Sequence, residues 1–152
     1  QGTALVLYGD DGSRGEVLIS STNDEGPVYY QGFSKPLVLY VRGSTTAGLS
    51  QIWVLNVDTR ETTMVGIGTA ARFRPGAASI TFLRPVGYQP GQPEKDVALN
   101  GFEVVEWQPD TRASTVIATF GTANLPVGAV WSTDGFTLYL TGTVDSKVLF
   151  PR

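Results

Sequence analysis

Glycine and proline fall so often in this sequence that no helix of ordinary length fits between them. Eighteen glycines and nine prolines punctuate 152 residues, and each costs an interior helical position roughly 1 to 3 kcal/mol relative to alanine. What lies between the breaks has a period of two, with Val, Ile, Thr, Tyr, Phe and Trp enriched, the residue types that suit a pleated surface. The pattern predicts strands at Ala4–Tyr8, Glu16–Ser20, Val28–Gly32, Leu37–Arg42, Gln51–Asp58 and Thr62–Ile67. It continues with Ala71–Arg74, Ser79–Leu83, Phe102–Gln108, Ser114–Phe120, Val127–Ser132, Phe136–Thr143 and Lys147–Phe150. Turn signals such as Asp10-Asp11-Gly12, Asp58-Thr59-Arg60, Pro109-Asp110-Thr111-Arg112 and Asp134-Gly135 recur every 8–12 residues or so. The expectation is an all-β fold, an antiparallel β-sandwich or a jelly roll or barrel of about 8–13 short strands, with little helix. Short helical turns fit only near Thr45–Leu49 or Ala123–Leu125.

The length suits one β domain over residues 1–152. The chain opens on Gln1 and closes on Pro151-Arg152, and is expected to be excised from a larger polypeptide. No run is long and apolar enough for a membrane-spanning helix, so no membrane insertion is expected.

Histidine and cysteine are both absent. Their absence removes disulfides, thiolate and imidazole metal ligands, and the nucleophiles and general bases built on these groups. The expectation is a chain that is not an enzyme, with no cofactor and no metal site. Paired carboxylates are the remaining catalytic device, but Glu103 and Glu106 sit on opposite faces of their strand because their spacing is odd. The segment Asp10–Glu16 has the oxygen ligands of a calcium loop without its order, and reads as a hairpin turn. The net charge of −3 and the scattered arginines give no basic stripe, so no nucleic acid is expected as a partner.

In Phe136–Thr143, Phe136, Leu138 and Leu140 share an expected core face, opposite Thr137, Tyr139 and Thr141. Other strands have no polar face: Leu5-Val6-Leu7-Tyr8, Leu37-Val38-Leu39-Tyr40-Val41 and Ile52-Trp53-Val54-Leu55. Either loops cover them, or a symmetry-related copy does, through Leu5, Leu7, Leu37, Leu39, Trp53 and Leu55. Charged residues make up only 16% of the chain, which favours a covered surface and a symmetric homodimer or homotrimer.

The proline-rich segment Arg84–Asp96 is expected to be an exposed functional loop, with Tyr88, Gln89, Gln92, Glu94 and Lys95 as binding residues. Trp107 and Trp131, at strand ends beside polar turns, are candidate glycan platforms, with core filling as the competing role. Gln51–Thr59 and Val130–Leu140 are each similar to a propeller blade segment, but no blade-length period runs through the chain, which argues against a propeller.

The chain as a whole resembles the protruding (spike) domain of the capsid protein of a small non-enveloped RNA virus, of nodavirus-like or tetravirus-like type. The segments Phe82–Tyr88, Gly101–Trp107 and Gly135–Gly142 carry the likeness. The resemblance implies a capsid surface protrusion at the virion surface, making assembly contacts and attaching to a host receptor or glycan. The alternative expectation is a carbohydrate-binding β-sandwich module of a larger enzyme or adhesin.

Overall fold

The computed structural model describes residues 2–13, 15–21, 26–43, 49–89, 101–121, 126 and 128–141. Eleven strands and no helix occur among the described residues: β1 (Ala4–Val6), β2 (Val17–Ser20), β3 (Val28–Ser34), β4 (Leu37–Arg42), β5 (Ser50–Asn56), β6 (Thr62–Phe73), β7 (Ile80–Pro85), β8 (Phe102–Trp107), β9 (Ser114–Phe120), β10 (Gly128–Trp131) and β11 (Leu138–Thr141). The predicted strand Lys147–Phe150, the helical turn at Ala123–Leu125 and most of the one at Thr45–Leu49 lie outside the described residues.

All pairing is antiparallel and joins strands adjacent in sequence, β1 with β2, β10 with β11, and β3-β4-β5-β6-β7-β8-β9 in an order that runs without a crossover. This is a meander, and neither a two-sheet sandwich nor the crossing connections of a jelly roll organises it. The long strand β6 shows how it is divided. Its Thr62–Gly68 half pairs with β5, and its Thr69–Phe73 half pairs with β7. At the start of the second half, between Thr69 and Arg72, the register shifts, and Ala70 takes a positive φ of 54°, a conformation L-residues adopt at local cost. The chain therefore forms a second unit of β3, β4, β5 and the first half of β6, and a third unit of the second half of β6 with β7, β8 and β9. The pair β1–β2 precedes them as a first unit, and β10–β11 follows as a fourth.

The core lies between units rather than within them. Ile19 of the first unit meets Val28, Val38, Tyr40 and Leu55 of the second. Leu39, Ile52, Val54 and Val65 of the second meet Ala71, Ile80, Phe82, Val105 and Trp107 of the third. Leu83, Phe102 and Val104 of the third meet Ala129, Trp131, Leu138 and Leu140 of the fourth. An inner unit thus buries both faces of its sheet, each large apolar side chain contributing roughly 1.5–3 kcal/mol. That is why β4 and β5 carry no polar face. Val38 and Tyr40 face one neighbour, Leu39 the other, and both neighbours belong to the same chain. The expected cover by loops or by a symmetry-related copy is corrected for Leu39 and Leu55, which are buried inside the chain.

Glycines allow the closest approach between the second and third units. A Cβ on Gly66 would stand 2.9 Å from Cζ of Phe82, and one on Gly68 would stand 2.3 Å from the carbonyl oxygen of Leu83. Phe136 departs from the expected pattern. The strand starts at Leu138, so Phe136 belongs to the preceding turn and is exposed, while Leu138 and Leu140 are buried and Tyr139 faces outward.

Candidate binding surface

The connections at the two ends of these units differ. At one end they are tight. β3 turns into β4 through the cis bond Lys35–Pro36. The β5–β6 and β8–β9 hairpins share one construction, built on Asp58-Thr59-Arg60 and Asp110-Thr111-Arg112. In the first, Arg60 N–H donates to the Asn56 carbonyl and Asn56 N–H to the Glu61 carbonyl, at 2.8 and 2.9 Å. In the second, Arg112 N–H donates to Gln108 and Gln108 N–H to Ala113, at 2.7 and 2.9 Å. Both arginines take a positive φ. Asp134 closes the β10–β11 turn by accepting from Phe136 N–H and the Ser132 hydroxyl, which holds its carboxyl below the usual carboxylate range. Asp11 does the same in the β1–β2 hairpin, where the Ser13 hydroxyl and N–H hold its carboxyl low. The Asp10–Glu16 segment is thus a turn, and no group of three or more potential metal-ligating side chains occurs among the described residues.

At the other end the connections are longer: residues 21–27, 43–49, 86–101 and 121–127. The predicted functional loop lies here, but the structure divides its residues. Arg84 and Pro85 belong to β7. Tyr88 folds back and is buried at 7% exposure, its N–H donating to the Pro85 carbonyl. It is therefore not an exposed contact. Gln89 lies at the surface, and Gln92, Glu94 and Lys95 lie outside the described residues. Val86 is exposed beside Gly87, whose positive φ makes the turn. A cleft of about 450 Å³ runs between Met64, Gly66 and Ile67 of the second unit and Phe82, Arg84, Tyr88 and Ser114 of the third, so that Tyr88 lies at its loop end and Ser114 at its tight-turn end.

Both candidate glycan platforms are buried. Trp107 is 3% exposed within the core between the second and third units. Trp131 is 8% exposed, and its indole N–H donates to the buried Thr81 hydroxyl at 2.8 Å. The Arg74 guanidinium sits 4.8 Å over its ring, filling the face a sugar would need. This arginine is the centre of a polar node that residue spacing did not reveal. Its Nη1 donates to both carboxylate oxygens of Glu106 at 3.0 and 3.2 Å, its Nε donates to the Gly135 carbonyl, and Ser79 donates to the same carboxylate. The node joins the third unit to the turn of the fourth. Glu103 is likewise held by Arg84 at 2.7 Å. The two carboxylates face opposite ways, as their spacing predicts, and each is committed to an arginine.

No protein-family model matches the chain, and no curated protein does. Solved structures do. TolB from Acinetobacter baumannii is similar over 95% of this chain, with 20% identity and a TM-score of 0.58. An acylaminoacyl peptidase solved with Z-Gly-Gly-Phe-chloromethyl ketone matches over 74% with 16% identity and a TM-score of 0.53. The β-propeller domain of the trilobed protease from Pyrococcus furiosus matches over 74% with 19% identity and a TM-score of 0.50. The chain spans 34%, 17% and 34% of these proteins respectively. At such identities the likeness speaks to fold, and the fold is that of propeller blades. The units stacked face to face are blades, with β3, the second half of β6, and β10 in the innermost position. The resemblance to a viral capsid protrusion is therefore corrected, and the virion placement, host attachment and host receptor or glycan it implied lose their basis with it. The carbohydrate-binding alternative fails with the burial of both tryptophans. The argument against a propeller is corrected too. The period is real, but residues 86–101 lengthen one blade, so the strand-end aromatics Phe33, Phe73 and Trp131 recur at unequal spacing.

Proposed function

We propose that this chain is a non-catalytic portion of a β-propeller and that its loop-bearing end binds polypeptide. The observation that carries the reading is the difference between the two ends of the blades. One end is closed by tight turns held by their own backbone and side-chain hydrogen bonds. The other carries the connections 43–49, 86–101 and 121–127 on a rigid stack of sheets, the arrangement in which loops carry recognition. The cleft that Tyr88 lines at this end has mainly apolar walls, suitable for side chains of an extended peptide. Two of the similar structures are named as proteases or peptidases, which supports polypeptide as the ligand class. Glu103 and Glu106 are tied to arginines, and the sequence has no histidine or cysteine, so the chain supplies binding rather than bond cleavage.

The test is selection of peptides from an unbiased displayed library on the purified chain. Replacing residues 86–101 by a two-residue Asn-Gly turn is expected to abolish retention of the selected peptides. Asp58→Ala, at the opposite end, is expected to leave it unchanged. Retention that survives the loop replacement, or turnover of peptide, ester or glycoside substrates by the chain, contradicts the reading.

A further inference from the structure

The cleft between the second and third blades has one charged side chain among the described residues that line it, Arg84. Strand alternation places it there. Ile80, Phe82 and Arg84 share one face of β7, and Glu103, Val105 and Trp107 share one face of β8. Ile80, Phe82, Val105 and Trp107 form the core against the second blade, so Arg84 and Glu103 continue that face toward the loop end. The two stand opposite each other in the β7–β8 register, and Arg84 Nε donates to Glu103 Oε1 at 2.7 Å.

Holding Glu103 takes the Nε–H alone. Among the described residues, neither terminal nitrogen of Arg84 has a hydrogen-bond partner, although the side chain is only 26% exposed. Neither nitrogen is sealed in the interior, because no Arg84 atom is both buried and unpaired. Arg74 of the same blade differs, since its groups are spent inside the fold. Its Nε is on the Gly135 carbonyl, its Nη1 on Glu106 and its face on Trp131. Arg84 thus presents the terminal fork of a guanidinium that Glu103 already orients, beside the apolar walls of the cleft. Such a fork matches a carboxylate through two parallel hydrogen bonds. Its prior orientation reduces the entropy lost when a ligand docks, and partial exclusion of water strengthens the attraction.

We propose that Arg84 binds a carboxylate of the polypeptide, so that the cleft selects segments in which a negative group adjoins apolar residues. The inference rests on the polypeptide-binding reading given above and names the ligand class of that site. An Asp or Glu side chain or a free C-terminus supplies the carboxylate. It meets the terminal nitrogens of Arg84 while the neighbouring apolar side chains lie along the walls of the cleft. The guanidinium stands between the incoming carboxylate and Glu103, which keeps the two negative groups apart. Glu103 is a positioning residue, since its hold on Nε sets the direction of the fork.

The test presents the immobilised chain with pools of short N-acetylated peptides, random in apolar and neutral polar residues. One pool carries a single Glu and an amidated C-terminus, a second has Gln in place of that Glu, and a third has the Gln with a free C-terminal carboxylate. The Glu pool, the free-carboxylate pool or both are expected to be retained roughly tenfold or more over the amidated Gln pool. Preference for the Glu pool alone assigns a side-chain carboxylate, and preference for the free-carboxylate pool alone assigns a C-terminal one. Arg84→Gln combined with Glu103→Gln removes the ion pair without stranding a charge, and is expected to abolish the preference with an unchanged strand signal by circular dichroism. Arg84→Lys keeps the charge and loses the fork, and is expected to weaken the preference several-fold. A preference that persists undiminished in either folded variant overturns the proposal. Equal retention of all three pools overturns it too, and leaves the polypeptide reading standing. Retention of no pool overturns both, so the two readings fail distinguishably.

Discussion

Arg112 reaches back from the β8–β9 hairpin to donate to Glu61 at 2.7 Å, across the boundary between the third blade and the second. One blade earlier, Arg60 makes the same contact with Glu16. Both arginines occupy the last position of an Asp-Thr-Arg turn, and both carboxylates stand at the start of the preceding blade's outer strand. The pairs are rungs of a ladder along the rim, and the ladder stops at Ala113, which takes the equivalent of Glu61.

These rim pairs are exposed, with roughly half of each side chain in solvent. Arg112→Ala is expected to cost under about 1 kcal/mol in urea denaturation, with the loss shrinking further at high salt. A large, salt-independent loss would mean that the rim carries the blade contact.

The inner node is expected to behave differently. Arg74→Met leaves the Glu106 carboxylate, only 12% exposed, with Ser79 as its partner. A loss of about 3 kcal/mol is expected, and Arg74→Met combined with Glu106→Leu should recover much of it. Equal losses for the single and double variants would count against the node.

The all-β class was legible in the sequence, because Gly and Pro spacing leaves room for nothing else and because Val, Thr and aromatic residues alternate between the breaks. The strands Leu37–Arg42 and Ser114–Phe120 begin and end where the pattern places them. The blade stacking was not legible, for a physical reason. A strand with two apolar faces records that both are buried, without recording whether the cover is a loop, another copy or the next sheet of the same chain. The Asp-Thr-Arg turns at 58–60 and 110–112 carried the repeat, and matching them would have found it. The Arg74 node left no such trace, since Arg74, Ser79, Glu106 and Gly135 meet only after three strands and two turns are in place.

Close approach at the glycines gives a graded prediction. Gly66→Ala forces the Phe82 ring to move and is expected to cost roughly 1–3 kcal/mol, part of which Phe82→Leu should relieve. Gly68→Ala meets the Leu83 carbonyl oxygen at 2.3 Å as well as Phe82 Cδ2 at 2.8 Å, and is expected to cost more, with Phe82→Leu relieving a smaller share because the backbone contact remains. Denaturant midpoints of the three variants and of each glycine variant paired with Phe82→Leu decide this.

Trp131→Phe removes the indole donor to Thr81, a residue only 2% exposed, and is expected to cost about 1–3 kcal/mol. Titration of a Trp53→Phe chain, which keeps only Trp107 and Trp131, with mono- and disaccharides should leave tryptophan fluorescence unchanged, since both are covered. Saturable quenching by a sugar would contradict their placement.

Burial raises the pKa of Tyr40 above the ordinary tyrosine value of about 10, and the nearby Arg42 opposes that shift. The neutral phenol is favoured in the fold, so its contribution is present in full below about pH 10 and is lost as pH rises through the higher folded value. Alkaline unfolding is expected to move to higher pH in Tyr40→Phe. An unchanged alkaline limb would show that Tyr40 is not the group that sets it.

The face-to-face stacking of consecutive blades is tested most directly by a long-range nuclear Overhauser map of methyl and aromatic protons. The stacking predicts contacts from Val38 and Tyr40 to Ile19 on one side, and from Leu39 and Ile52 to Phe82 and Val105 on the other. It also predicts that Leu138 and Leu140 contact Leu83, Phe102 or Val104. Contacts joining Leu39 to Ile19, or a two-sheet pattern in which Leu39 and Phe82 never meet, would contradict the stacking of blades.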